Sequence, residues 1–392
     1  MTLNPPLMAL AIGAFGIGIS EFSPMGMLPL IAGDLGVSIP TAGLLISAYA
    51  IGVMAGAPLM TLTTGNMKRR TLLIGLAAIF TLGNLLAALS QSYAMLMVAR
   101  IVTSLNHGAF FGVGAVVAAS VVVPGRGASA VAAMFSGLTL ATVAGVPLAT
   151  WLGEQFGWRL PFWGFTALGL VTMAALRLTL PDRPAPASEG ALAELRVLAR
   201  GPVLVALTLT ALGASAMFTV YTYIVPLLQV ETGASVGFVA AMLVIYGLGL
   251  MLGNTLGGRF ADRSVDRTLM VTLAGLTLVL IAFALLAPYR VPTAGLIFLW
   301  GVASFAIVPP LQVRVIGAAG DAPNLASAVN IGAFNLSNAI GAALGGAVIA
   351  AGLGYQAVPL AGAVMSVLAL IGVWMALRAD RAAGANKKTA AC

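Results

Sequence analysis

Twelve predominantly apolar runs, each of roughly twenty residues and closed off by charge or turn-forming residues, leave this chain little choice of fold. They span 7–31, 41–62, 71–89, 94–122, 129–152, 160–180, 202–228, 237–257, 268–286, 293–313, 325–350 and 356–377. A run of that length matches a hydrocarbon layer about 30 Å thick. In hydrocarbon the backbone must satisfy its own N–H and C=O groups, which makes each run a helix. Only 8% of the residues are charged and 60% are hydrophobic, against about 25% charged in a soluble domain. The expected fold is therefore all-α and membrane-integral, with twelve transmembrane helices.

Charge sets the orientation. Sixteen Lys and Arg fall in the even-numbered connections and the C-terminal tail, only Arg159 and Arg290 fall on the other side, and Arg100 lies inside a span. The positive-inside bias then places both termini in the cytoplasm, as for a multi-pass protein of a cell inner membrane. The net charge of +8 sits in short loops. No basic stripe or series of stacking aromatics accompanies it, which argues against a nucleic-acid partner. Cys392 is the single cysteine, so no intrachain disulfide forms. Residues 1–8 carry no Lys or Arg, so the first run reads as a retained helix and not a signal peptide.

The longest polar stretch, 181–201, follows the sixth span. It divides the chain into a six-helix bundle (1–180), a cytoplasmic linker (181–201), a second six-helix bundle (202–378) and a cytoplasmic tail (379–392). An internal repeat supports the division. Residues 49–73 align without a gap to 246–270, with Tyr49, Gly52, Met54, Gly56, Leu59, Arg70, Thr71 and Leu72 matching Tyr246, Gly249, Met251, Gly253, Leu256, Arg267, Thr268 and Leu269. Parallel halves of this kind place a substrate site near the midplane, at their interface.

Three ionisable side chains lie well inside spans: Glu21, Arg100 and His107. A charge at the bilayer centre costs at least about 2.5–3.5 kcal/mol, so such groups face the bundle interior and find partners. Arg100, Ser104, His107 and Phe111 follow one another along one stripe of a helix, with Asn106 beside them. Glu21 suits a proton carrier, because desolvation raises and a nearby Arg lowers the proton affinity of a carboxylate. The competing reading for all three is structural: a carboxyl bonded to backbone, an Arg on helix-end carbonyls, a His bridging helices. In the second half Thr219, Tyr221, Thr222 and Tyr223 of the seventh span, Gln312 of the tenth, and Asn330, Asn335 and Asn338 of the eleventh offer an opposite wall for substrate. Such amides and hydroxyls equally serve to join helices.

Several segments carry a resemblance. Gly258-Arg-Phe-Ala-Asp262-Arg263 followed by Arg267 resembles the signature loop of the major facilitator superfamily, between the second and third helices of a half. The first-half loop keeps Lys68, Arg69 and Arg70 but has Gly65 where the acidic residue belongs. The Arg100 span is similar to the arginine-bearing fourth helix of the twelve-helix drug:proton antiporters. The segment from Gly137 through Gly145 to Pro147 resembles a loosened antiporter Gly-Pro motif. With Glu21 and the run from His107 through Gly114, the pattern resembles the arabinose-efflux-permease-like branch, whose members export sugars, purines and chloramphenicol. The resemblance implies two pseudo-symmetric six-helix bundles, a first helix facing the fourth so that Glu21 meets the Arg100–His107 stripe, and loop residues Asp262, Arg263 and Arg267 that bind helix ends in the outward-open state. A plain positive-inside anchor is the other reading of that loop.

No P-loop is present, which argues against an ATP-driven pump, and a single His is too few for most metal sites. The expected function is export of a neutral or cationic small molecule in exchange for protons by alternating access. The proton gradient supplies energy, with no cofactor and no metal, and the chain works as a monomer in lipid. Import of a sugar or other nutrient, with protons or by facilitation, is the alternative. A membrane sensor or enzyme would need a catalytic cluster or a large extramembrane module.

Overall fold

A computed structural model describes residues 4–64, 67–123, 127–182, 200–319 and 323–389. Twelve helices among them are long and apolar enough to cross a membrane. They are α1 (Pro5–Gly26), α2 (Ile39–Gly56), α3 (Arg69–Ala88), α4 (Tyr93–Ala118), α5 (Ala133–Phe156), α6 (Arg159–Thr179), α7 (Gly201–Tyr221), α8 (Val236–Ala261), α9 (Val265–Leu286), α10 (Arg290–Ala319), α11 (Val329–Ala350) and α12 (Ala357–Ala379). Residues 183–199, most of the expected linker, lie outside the described residues, as does Gly65.

Helix starts follow local chemistry. The Asn4, Ser92, Ser235 and Ser264 side chains accept the free backbone N–H groups at the first turns of α1, α4, α8 and α9, as N-cap residues do. The uninterrupted first and seventh runs expected from the sequence are each broken. α1 ends at Gly26, just past Pro24, and resumes as Leu28–Asp34; α7 ends at Tyr221 and resumes as Ile224–Glu231, with Pro226 in the new first turn. Proline lacks the N–H that a continuous helix needs. In α5 a π-helical turn, Ala141–Gly145, precedes Pro147. Gly145 lies against Ile19 of α1, where a Cβ would come within 2.8 Å of a methyl carbon.

The two halves repeat one packing plan. α1 packs on α5 and α6, α3 on α6, and α2 on α4; α7 packs on α11 and α12, α9 on α12, and α8 on α10. The repeated glycines make the α2–α4 and α8–α10 crossings close. A Cβ on Gly52 would stand 2.0 Å from the Ser104 hydroxyl, and one on Gly249 would stand 2.5 Å from the Phe298 carbonyl oxygen.

Across the halves, α2 meets α11 and α5 meets α8. Among the described residues, the hydrogen bonds and ring contacts between halves gather toward the end away from the Lys68–Arg70 loop. Ser47 donates to the Ala339 carbonyl at 3.2 Å, Gln229 donates to Glu154, and Phe22 stacks on Phe218 at 6.5 Å between centroids. There the apolar core of the second half runs on into Met25, Leu28, Ala42 and Ile46 of the first.

Candidate functional site

The unit to build from is the side of α4 that faces α1 and α2. Glu21 is 6% exposed, His107 4% and Arg100 1%, so none of the three faces lipid. His107 Nδ1 stands 3.9 Å from Glu21 Oε2 and 3.2 Å from the Tyr49 hydroxyl. The Arg100 guanidinium lies 4.1 Å above the Tyr49 ring, a cation–π contact that offsets part of its desolvation. It donates to the backbone carbonyls of Ser20 at 2.7 Å and Glu21 at 3.3 Å. Its hydrogen bonds therefore hold the α1 backbone, not the Glu21 carboxylate. Ser20 in turn donates to the Asn84 amide oxygen at 2.8 Å. The result is an acid, an imidazole and a phenol in sequence, with an arginine fixing the helix that carries the acid.

Removing Arg100 breaks two charge-assisted hydrogen bonds, each worth about 1.5–3 kcal/mol. Arg290, by contrast, is exposed and ties Gly233 at a loop, donating to its carbonyl at 2.6 Å. Arg100→Ala is expected to lower transport roughly ten- to hundred-fold, while Arg290→Ala stays near wild type. Rates measured at matched protein levels check this, and equal rates would refute it.

Other residues singled out from the sequence divide by place. Ser104 donates to the Ile101 carbonyl and sits in the α2–α4 crossing against Gly52. Asn106 donates to the Thr103 carbonyl and borders a small void of about 10 Å³ with Gly13, Ala77 and Thr172, inside the first half. Phe111 packs on His107 and Phe135. Thr219 and Thr222 return their hydroxyls to the Ser215 and Phe218 carbonyls. Asn330 donates to Gln312 at 2.6 Å and Asn335 to the Ile331 carbonyl at 3.0 Å. Asn338, 1% exposed, has neither amide atom hydrogen-bonded. Tyr221 meets Phe22 of α1 at 6.0 Å and stacks on Tyr246, which stacks on Trp300 at 4.2 Å. Tyr223 is wedged between α2 and α11, its hydroxyl on the Ala342 carbonyl at 2.8 Å.

Tyr49 was missing from the expected site, yet it opens the internal repeat. Its counterpart Tyr246 carries the Trp300 ring where Tyr49 carries the Arg100 guanidinium. Equivalent slots thus hold charge in the first half and aromatic rings in the second.

At the basic end of the bundle, an acid from another part of the chain stands in for the one absent at Gly65. Asp182 takes Lys68 at 3.1 Å and Arg70 at 3.8 Å, and the hydrogen bond from Lys68, with the charges of Lys68, Arg70 and Arg177, holds its carboxyl below the usual carboxylate range. Arg69 lies beside them with a buried, unpartnered Nε. In the second-half loop the ion pair is formed by Asp266 with Arg314. Asp262 forms the C-cap of α8, next to Gly258 and Arg263, and Arg267 lies in the first turn of α9. Among the described residues the acid of this loop that meets a cation is thus Asp266, while the contacts expected of Asp262, Arg263 and Arg267 belong to the outward-open state. Asp266→Asn is expected to slow cycling about two- to five-fold, the range of a half-exposed pair, with substrate affinity unchanged and Asp262→Asn milder. Single-turnover transport with equilibrium binding checks it, and a larger effect at Asp262 would reverse the assignment.

Comparison with known proteins fits this geometry. The family model of the Major Facilitator Superfamily matches residues 10–322 and 231–391. The chain is 58% identical to the inner membrane transport protein YdhP of Escherichia coli (strain K12) over 378 residues, 96% of this chain and 97% of that protein. It is 34% identical to a chloramphenicol resistance protein of Streptomyces lividans, covering 89% of each. The fold matches the inward-facing, unoccupied crystal structure of a bacterial homologue of the human lysosomal transporter Spinster with a TM-score of 0.78 at 16% identity, over 96% of this chain and 98% of that one.

Proposed function

Since the chain belongs to the Major Facilitator Superfamily and is a transporter, we propose that it exports a small molecule across the cell inner membrane in exchange for protons. The single observation that carries this reading is the buried Glu21 carboxylate, which meets His107 from α4 beside the Phe22–Phe218 seam between the halves. An acid at membrane depth is the kind of group that relays protons in pumps and transporters, taking one up from one side. It releases that proton when rocking of the halves brings in water or a cationic substrate. The rings of Tyr221, Tyr246 and Trp300 and the unpartnered Asn338 amide supply the second-half wall.

Among the described residues, the hydrogen bonds and ring contacts between the halves lie toward the end away from the Lys- and Arg-rich loops, which suits closure there. With those loops in the cytoplasm, both termini are cytoplasmic and the conformation is the one that receives substrate from inside. The name of the chloramphenicol resistance relative supports an outward direction.

The experiment uses inverted membrane vesicles with an acidified lumen and a panel of sugars, nucleobases and amphiphilic antibiotics. Gradient-dependent accumulation of one class inside the vesicles supports export by antiport. Accumulation only in right-side-out vesicles under an inward proton gradient would make the protein an importer.

A further inference from the structure

On the outer surface, well away from the α1–α4 cluster, α7 and α12 enclose a groove of about 640 Å³. Leu204, Thr208 and Leu212 line one side and Leu368, Ile371 and Met375 the other. The Thr208 hydroxyl is turned back to the Leu204 carbonyl at 2.8 Å, so what the groove presents is apolar. Gly372 makes its floor, for a Cβ there would stand 2.7 Å from a methyl of Leu209. The lining runs over 204–212 and 368–379, which at 1.5 Å per residue is roughly 12–16 Å. That is about half of a 30 Å hydrocarbon layer, the depth of one leaflet.

Cations stand at one mouth of this groove. Arg200 is the N-cap of α7, one turn from Leu204. Arg378 lies two turns beyond Ile371 on the same face of α12, with its guanidinium 3.7 Å over the exposed Trp374 ring. Both belong to the end of the bundle that carries the Lys68–Arg70 loop. Tryptophan is enriched at membrane interfaces, and basic pockets between helices on the positively flanked side bind anionic headgroups.

We infer that this groove is a binding site for one anionic phospholipid, with an acyl chain along α7 and α12 and the phosphate at Arg378 and Arg200. Apolar lining one leaflet deep fits the chain, and the Arg378 guanidinium, with Arg200 at the start of α7, offers charge-assisted hydrogen bonds to the phosphate. A zwitterionic lipid brings the same phosphate, but its ammonium group offsets the charge, so the cations favour the anionic lipid. The occupied helix is α7, whose far end carries the Phe218 and Tyr221 rings that meet Phe22, so the lipid would brace a helix that takes part in closure.

The test is native mass spectrometry of the full chain in detergent, with phosphatidylglycerol and phosphatidylcholine of identical acyl chains added together. Wild type is expected to retain phosphatidylglycerol preferentially. Arg378→Gln should cut that preference about five-fold, and Arg200→Gln with Arg378→Gln should bring it to parity. Ala376→Trp, which fills the groove, should release both lipids; Leu368→Trp serves the same purpose if that variant does not elute as a single species. Equal retention of the two lipids by wild type, or an unchanged preference in the double arginine variant, would overturn the assignment. Undiminished lipid retention by a folded groove-filling variant would do the same.

Discussion

Glu21→Gln is expected to abolish gradient-driven accumulation while leaving substrate binding within a few-fold of wild type. Gln has the size of Glu and keeps an oxygen facing His107, which stands 3.9 Å away in the native protein, but it cannot take up or give away a proton. The loss should be large. One charge moving through 100 mV corresponds to about 2.3 kcal/mol, or roughly a fifty-fold concentration ratio for each proton exchanged. Without the titrating group this ratio falls to the passive value. Accumulation is measured in inverted vesicles under an imposed proton gradient, and binding is measured separately by thermal shift on the purified protein. Glu21→Asp keeps the proton and should keep part of the accumulation. Wild-type accumulation by the Gln variant would remove Glu21 from the coupling mechanism and leave it a structural carboxyl.

The parts of this molecule that were legible in the sequence are those that hydrocarbon dictates. Span number follows from solvation, because every backbone group in a bilayer needs an internal partner. Breaks within spans do not, since Pro24 and Pro226 leave hydropathy unchanged while ending α1 and interrupting α7. The stripe from Arg100 to Phe111 was visible because it lies on one helix. Its approach to Glu21 came only from the resemblance and not from spacing, because 85 residues lie between Glu21 and His107. Tyr49 carried a signal in the repeat with Tyr246, but alone it reads as one more apolar position. The acid at Asp182 is 114 residues from Lys68, so the lock that replaces Gly65 leaves no local pattern. Hydroxyls stay ambiguous. Thr219 and Thr222 read from sequence as a substrate wall or as helix joints, and in the structure each bonds the carbonyl four residues back, as hydroxyls within helices do.

A second large effect is expected where the halves close. Tyr223 is fully buried, and its hydroxyl donates to the Ala342 carbonyl at 2.8 Å. Three glycines form its socket. A Cβ on Gly43 of α2 would fall 2.1 Å from the Tyr223 hydroxyl oxygen, one on Gly345 2.7 Å from the ring, and one on Gly346 2.6 Å from the same oxygen. The ring cannot retreat from Gly43, because α11 blocks it on the other side. Gly43→Val should therefore hold α2 away from α7 and α11. Overpacking of this kind costs about 1–3 kcal/mol, roughly a 5–150-fold shift in the balance between closed and open forms of this end. A reporter lies nearby, as Ser47 is buried in the seam with its hydroxyl on the Ala339 carbonyl at 3.2 Å. In a Ser47→Cys, Cys392→Ser background, Gly43→Val should speed labelling by an impermeant thiol reagent by at least about five-fold, with transport slowed because the closed form is a station in the cycle. Tyr223→Phe loses only a hydrogen bond, about 0.5–1.5 kcal/mol, and should act more weakly. Combining Gly43→Val with Tyr223→Ala removes the clash and should return labelling toward the reference rate, a coupling that independent sites do not show. If Gly43→Val left labelling unchanged, or if Tyr223→Ala failed to relieve it, closure of this end would have to depend on the Phe22–Phe218 contact and not on the tyrosine in its glycine socket.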